Sequence, residues 1–339
     1  MGDVSMIGLD LAKNYIQAHG VDAGGHVLFR KKLRRSQLMK FLAEQPACIV
    51  AMETCGGAHH VGREARKLGH TPKLAPAHYV KPFARRGKSD RIDAEAVADA
   101  ASRPNMRFVA VKSAEQQASA LVFRTRDLLV RQRTQTINAV RGHMAEFGLV
   151  APKGRAHLPE LTALIDDPAT PEAARPMCLL LMETIAGLDV KIAQLDKEIA
   201  RRAKADAGSR RLMTIPGLGP ILSTAVPALA PPPESFRSGR DFAAWVGLTP
   251  LQRSTGGYEK IGKTSKMGER TLRRLFMLGA ASVVKQALRT GKARDPWLLR
   301  MLARKPRAVV VTALANKLAR IAWAVMTSAE EYRAPAPAA

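Results

Sequence analysis

The sequence predicts an α/β domain followed by an all-α remainder, on three observations. Short apolar runs alternate with helical segments over residues 1–111, the pattern of a mixed sheet flanked by helices. About thirty residues from Ser113 to Arg141 contain neither Pro nor Gly, and Pro171 to Ala205 repeats apolar residues at threes and fours, so residues 112–206 read as a long helical coiled-coil linker or dimerisation region. Residues 207–330 read as a helical C-terminal domain punctuated by Gly and Pro, and 331–339 as a disordered, frayed tail.

Taken in order, Val4 to Asp10 is an apolar run ending in an acid, the pattern of a buried strand with a carboxylate at its end. Tyr15 to Gly20 and His26 to Leu33 are two more short strands, joined by Asp22-Ala-Gly-Gly25, which has hairpin turn chemistry. Ser36 to Glu44 suits a helix. Ala47 to Met52 is another apolar strand and ends at Glu53, the second acid at a strand end. Gly56-Gly57 breaks it, Ala58 to Leu68 is helical, and Pro72 to Ala75 starts a short strand. The Ala-rich segment Lys88 to Ala100 is then a helix, with Ser89 at the N-cap and Ile92, Ala96, Val97 and Ala100 on an apolar side suited to a sheet. An extended piece, Met106 to Val111, leads into the first long helix.

Asp90 and Asp93, three residues apart in the first turn of the Ala-rich helix, project from one face. Taken alone the pair reads as a solvated helix start, where acids suit the macrodipole. Asp10 and Glu53 change that reading. Acids at the ends of two central strands, with two more on a covering helix, can converge on one point. Like charges so placed repel, and the arrangement makes sense beside basic side chains or divalent metal. Ribonuclease H-like nucleases hold two metal ions in this way, flanking an in-line attack on phosphorus.

The formal charge is +25, from 54 Lys+Arg against 29 Asp+Glu, which points to a polyanionic partner and foremost to nucleic acid. No apolar run approaches the roughly 18 residues of a spanning helix and no signal-peptide pattern opens the chain, so a membrane is not expected and a cytoplasmic, nucleoid-associated protein is. Cys48, Cys55 and Cys178 cannot all pair and suit a reducing compartment. Cys55 with His59 and His60 lacks the fourth ligand and the CxxC spacing of a zinc site, so these histidines read as structural.

The first long helix carries Arg124, Arg126, Arg131, Arg133 and Arg141 against Asp127 alone between them, beside a partial apolar stripe of Leu121, Leu128, Leu129, Ile137 and Val140. Such a helix suits a solvated face and equally a dimer arm touching nucleic acid. After a loop-rich connection from Pro152 to Pro171, the second long helix is expected to pack antiparallel on it. Ile215-Pro-Gly-Leu-Gly-Pro220 resembles the hairpin of helix-hairpin-helix modules, with Gly217 and Gly219 allowing backbone N–H groups to approach a phosphate; an ordinary tight interhelical turn is the other reading. Asp241 to Gly247 is a short helix, and helices are expected over 269–290 and 306–328. Between Arg253 and Arg307 fifteen Lys+Arg face three Asp+Glu, a net +12. Arg253, Lys260, Lys263, Lys266, Arg270, Arg273 and Arg274 are the cations placed there against phosphate. Arg253-Ser-Thr-Gly-Gly257 and Gly262-Lys-Thr-Ser-Lys-Met-Gly268 concentrate glycine and hydroxyl residues in the same stretch.

These segments carry a family likeness. Ile7-Gly-Leu-Asp10, Met52-Glu-Thr-Cys-Gly-Gly57, Tyr79-Val-Lys-Pro-Phe83, Lys88-Ser-Asp-Arg-Ile-Asp93, Arg103-Pro-Asn-Met-Arg-Phe108, Arg131-Gln-Arg-Thr134, Ile215-Pro-Gly-Leu-Gly219 and Arg253-Ser-Thr-Gly-Gly257 occur in an order and spacing that resembles the DEDD-type insertion-sequence transposases guided by a bridge or seeker RNA. The resemblance runs nearly end to end. It implies a ribonuclease H-like, RuvC-type N-terminal domain whose four acids, Asp10, Glu53, Asp90 and Asp93, hold two Mg²⁺ or Mn²⁺ ions. It also implies a coiled-coil linker and a C-terminal transposase domain with a nucleophilic serine, Ser254, although Thr255 follows directly and the residues alone do not choose between them. Donor and target DNA, a structured non-coding guide RNA, and a dimer assembling to a tetramer, with serine and acids from different protomers, belong to the same implication. Two rival readings remain: a RuvC-like endonuclease that hydrolyses four-way junctions with Mg²⁺ and needs no protein nucleophile, and a non-catalytic nucleic-acid-binding protein, against which the four acids argue.

Overall fold

The computed structural model describes residues 3–84, 90–293 and 295–334 and divides into two compact units, one running through Gln117 and the other from Ala118. The expected N-cap Ser89 lies outside the described residues.

The first unit contains β1 (Met6–Leu11), β2 (Tyr15–Val21), β3 (Val27–Arg34), α1 (Leu38–Ala43), β4 (Ile49–Glu53), α2 (Ala58–Lys67), β5 (Thr71–Ala75), α3 (Ala77–Val80) and α4 (Asp90–Ala101). One mixed sheet runs in the order β3-β2-β1-β4-β5. The β1–β2 and β2–β3 pairs are antiparallel, whereas β4 lies parallel to both β1 and β5. A central mixed sheet with helices on both faces agrees with the α/β domain expected from the sequence.

Alternation along the strands decides what each face holds. Ile7 and Leu9 of β1, with Val50 and Met52 of β4, pack into the core that includes Leu38, Leu42, Val61 and Ala65 of α1 and α2. Met6 and Ala51 point the other way, into a smaller core with Ala96, Val97 and Ala100 of α4. By the same parity Asp10 and Glu53 belong to the α4 face. The register brings them side by side: Leu9 pairs with Met52 in parallel, so the next positions are Asp10 and Glu53.

Helix α4 comes unusually close to the sheet. A Cβ built on Gly8 would lie 2.4 Å from the Ala94 carbonyl oxygen and 2.9 Å from the Ala98 Cβ. Only glycine on the strand and alanine on the helix permit this approach.

The second unit opens within α5 (Ala114–Glu146), whose first turn belongs to the first unit, and continues through α6 (Leu158–Ile165), α7 (Arg175–Ala205), α8 (Ala207–Met213), α9 (Pro220–Leu229), α10 (Gly239–Val246), β6 (Pro250–Gln252), β7 (Ile261–Thr264), α11 (Arg270–Thr290), α12 (Pro296–Arg304) and α13 (Arg307–Ser328). Helices α5 and α7 run antiparallel: Arg126 meets Asp196, Arg133 meets Asp189, and Met144 meets Cys178. Helix α13 lies in the main core, where Phe242, Phe276 and Val284 pack with Val310, Ala315 and Ala322.

Several elements depart from expectation. The connection from Pro152 to Pro171 holds α6, which buries Leu161 and Ile165 against the α5–α7 pair. The C-terminal domain, expected to be helical, includes the antiparallel β6–β7 hairpin, because Gly256 and Gly257 both have positive φ (54° and 79°) and form the two-residue turn that closes such a ribbon. Helix α12 begins at an Asp295-Pro296 start in which the Asp295 carboxylate accepts from the Trp297 N–H at 3.0 Å. By length and composition α13 passes as a membrane-crossing helix, contrary to the sequence reading, but its apolar side is the core of this unit. The tail expected from residue 331 is still tied at Tyr332, whose N–H donates to the Thr214 Oγ1 at 3.0 Å; residues 335–339 lie outside the described residues.

Gly8→Ala tests the close approach of α4. Overpacking against backbone is expected to cost about 1–3 kcal/mol, read as a lower urea midpoint with an unchanged m-value.

Candidate active site

Asp10 stands near the end of β1, and Asp90 and Asp93 occupy the first turn of α4. One carboxylate oxygen from each of the three lies within 4.8 Å of the others. Asp10 and Asp93 are half-buried and Asp90 is exposed, so the cluster sits at the rim of the unit. Glu53 is outside that 4.8 Å group but close enough for its charge to act on Asp10 and to feel Asp93.

Burial, followed by the charges of Asp90, Asp93 and Glu53, pushes the Asp10 carboxyl up to about 6. Burial, then the charge of Asp93, also raises Glu53. Among the described residues none of the four is in a salt bridge. Hard oxygen donors that converge and repel without an internal cation fit a hard divalent metal, and the three clustered aspartates with Glu53 beside them are the residues that would hold it. Cys55 is an exposed free thiol, and the His59 ring nitrogen accepts from the Lys112 N–H at 3.1 Å, which is a structural role.

In the second unit, Ser254 lies on the exposed arm of the β6–β7 hairpin. The Arg253 N–H donates to the Lys260 carbonyl at 2.8 Å, and Thr255 and Tyr258 exchange bonds of 3.2 and 3.0 Å across the turn. Between those two pairs, Ser254 faces Glu259 in the position where cross-strand side chains lie closest. Ser254 and Thr255, as neighbours on an extended strand, point to opposite faces. Glu259 was not singled out from sequence; the signal was the Gly-Gly turn, which fixes the pairing once it is read as a hairpin.

The expected nucleic-acid-facing cations separate into two groups. Arg253, Lys260, Lys263, Lys266 and Arg270 are exposed on or beside the hairpin, and Arg124 is exposed on α5. The others are engaged. Arg126 pairs with Asp196 and Arg133 with Asp189, both at 2.5 Å, with side chains only 18% and 14% exposed. Two arginines seven residues apart on α5 meet two aspartates seven residues apart on α7, a match that a reading of α5 alone missed. Asp127 takes Arg131 at 3.6 Å and also Arg274, and the Arg273 guanidinium donates to the Val246 carbonyl at 3.2 Å. Gly217 (φ 92°) meets an internal demand: a Cβ there would lie 2.9 Å from the Gly279 carbonyl oxygen of α11, and one on Gly279 only 2.3 Å from that of Gly217. Gly219 is exposed, with nothing near its Cβ position.

Comparison with known proteins decides the family. A model of DEDD transposases of the IS110 type, described as Transposase, matches residues 7–148, and one described as Transposase IS116/IS110/IS902 family matches residues 209–295. The chain is 47% identical over 337 residues to a probable family 20 transposase of Pseudomonas aeruginosa, covering 98% of this chain and 99% of that one. It is 39% identical over 328 residues to the transposase for insertion sequence element IS1328 of Yersinia enterocolitica (96% and 98% covered). It is 34% identical over 337 residues to the transposase for insertion sequence element IS1111A of Coxiella burnetii (98% and 92%). The chain belongs to the IS116/IS110/IS902 transposase family. In this transposase Asp10, Glu53, Asp90 and Asp93 all fall in the DEDD match and Ser254 in the other. The family is one of DNA-cutting enzymes whose DEDD domain uses divalent metal, and the converging acids suit that chemistry.

A carboxyl raised from 3.8 to about 6 binds more protons in the folded than in the unfolded chain between those values. The metal-free fold therefore loses stability as pH rises through that window. In EDTA, Asp10→Asn is expected to melt above the wild type at pH 8, with the gap closing at pH 4. An equal gap at both values would show that ionisation of Asp10 is not its cause.

Proposed function

We propose that this transposase cuts and rejoins DNA strands through a covalent serine–DNA link, at sites chosen by a structured guide RNA. The observation that carries the DNA-cutting part is the convergence of Asp10, Asp90 and Asp93, with Glu53 beside them, on one face of the sheet. The metal we assign is Mg²⁺, with Mn²⁺ as substitute, because all the donors are carboxylate oxygens. When bound, a pair of such ions stabilises the attacking and leaving oxygens of an in-line displacement at phosphorus.

The chain's own residues do the rest. Ser254 Oγ forms an ester bond to phosphorus while the bond from phosphorus to one sugar oxygen breaks. The Oγ proton passes to Glu259 across the hairpin, and the released sugar oxygen takes up a proton. Attack by a sugar hydroxyl on the phosphoserine reverses these transfers and rejoins a strand. Arg253 and Lys260, paired on the other face of the ribbon, hold the neighbouring DNA backbone, and Gly256 and Gly257 let that backbone approach. Two copies paired along α5 and assembled further into a tetramer bring acids and serine to one phosphate. Leu121 and Leu128, exposed and a heptad apart on α5, support that pairing. The RNA guide rests on the family likeness described from the sequence.

Asp10→Asn, Glu53→Gln, Asp90→Asn and Asp93→Asn are each expected to lose strand cleavage by at least a hundredfold, on the scale of removing a main electrostatic contribution, while binding is kept or strengthened. Cleavage near the wild-type rate would remove that residue from the site. Ser254→Ala is expected to abolish both the covalent adduct and recombination and to keep binding, whereas Thr255→Ala retains the adduct. An adduct that survives in Ser254→Ala and disappears in Thr255→Ala moves the nucleophile by one residue, and no adduct at all favours hydrolysis. Stripping copurified RNA is expected to abolish site choice; equal activity without it overturns the guided reading.

A further inference from the structure

Within the second unit a groove of about 1430 Å³ opens between the hairpin, the start of α10 and one side of α13. Arg240, Lys263, Lys317 and Arg320 line it together with Trp297 and Trp323, and no acid does among the described residues. Its cations are not equivalent. Lys317 is committed to Asp295 and sits 4.6 Å from the centre of the Trp297 ring, so it fixes that indole in place. Arg240, Lys263 and Arg320 are exposed and in no salt bridge among the described residues. Arg240 and Arg320 share one rim because Gly239 packs directly on the Arg320 backbone, where a Cβ would lie 3.0 Å from its carbonyl oxygen. Trp323 is anchored by its Nε1–H, which donates to the Pro233 carbonyl at 3.0 Å.

Fixed indoles beside free cations suit a polymer that is anionic along its backbone and offers flat faces to stack. A single nucleic-acid strand has both, whereas a duplex hides its base faces. One wall of the groove is β7, whose hairpin carries Ser254. We infer that this groove holds a single DNA strand, the unpaired strand next to the phosphate that Ser254 attacks. That the strand lies next to the phosphate Ser254 attacks rests on the serine reading; occupancy of the groove does not.

The test uses the full chain, a labelled single-stranded oligodeoxynucleotide of about twelve nucleotides, the same sequence as RNA, and as duplex DNA. Combined Arg240→Gln and Arg320→Gln is expected to weaken the single-stranded DNA at least tenfold, with an unchanged melting temperature. The log–log salt slope should fall by about 1.4, two phosphate contacts at about 0.7 each. In a Trp245→Phe chain the strand should quench the remaining indole emission, and Trp297→Phe in that background should reduce the quenching. Undiminished affinity for the DNA strand in the arginine variant overturns the inference. So does dependence on these arginines for RNA or duplex alone, or a change of oligomeric state with affinity intact, which would make the groove a contact between copies. Adduct formation in Ser254→Ala, scored separately, sinks the serine reading while groove binding is still measured by the oligonucleotide.

Discussion

The acidic site depends on how close one helix can come to one strand. Gly8 offers no side chain to α4, and α4 offers Ala94 and Ala98 in return, so the helix backbone settles almost onto the sheet. That distance sets where the first turn of α4 ends up, and it puts Asp90 and Asp93 within reach of Asp10. A larger residue at Gly8 or on the inner face of α4 would lift the helix and open the cluster. The Ala-rich composition of the segment is therefore a packing requirement with a chemical consequence. The same closeness buries these carboxyls among like charges, and burial first, then repulsion, raises Asp10 and Glu53. Such a site is costly empty and is relieved by a cation.

Much of the first unit was legible because a strand's alternation is a strict rule. Val4 to Asp10 and Ala47 to Glu53 each end in an acid, and counting back by twos from Asp10 passes Gly8 and Met6, the residues that meet α4. Parity, once the two cores show which face each strand gives to α4, puts both acids on that face. Sequence did not provide the strand neighbours, which come from register between segments some forty residues apart. Nor did it show that Glu53 stands outside the group the three aspartates form.

In the second unit the helices were visible and their partners were not. A row of arginines on α5 looked like a surface for nucleic acid when only Asp127 was counted against it. The acids that neutralise Arg126 and Arg133 arrive from α7, more than fifty residues later in the chain. Matching spacings of seven on both helices held that information, but only once the antiparallel register was considered. Gly217 was open to two readings, a phosphate contact and a tight interhelical turn, and its fit against Gly279 of α11 is the packing that the second describes. The β6–β7 hairpin was missed for a different reason: its strands are too short and polar to show a period, and the Thr-Gly-Gly-Tyr turn was the only local signal.

Once these internal pairs are set aside, the distribution of charge changes its meaning. The arginines of α5 serve largely to hold α5 against α7 and, through Asp127, against Arg274 of α11. The helix pair is thereby closer to neutral than its sequence suggests. Exposed cations in no salt bridge among the described residues then include those on and beside the hairpin, Arg240 and Arg320 on the groove rim, and Arg300, Arg304, Lys305 and Arg307 from the end of α12 to the start of α13. A polyanion is therefore drawn to the stretch from the hairpin to the start of α13 more than to the paired faces of α5 and α7. On the serine chemistry we propose, a hydroxyl on an exposed two-stranded ribbon has little shape around it to hold a substrate, so positioning would come from charge nearby and from ring faces that stay fixed. Both are present along the α13 groove, which is why the ribbon and the groove are better understood as one surface than as two.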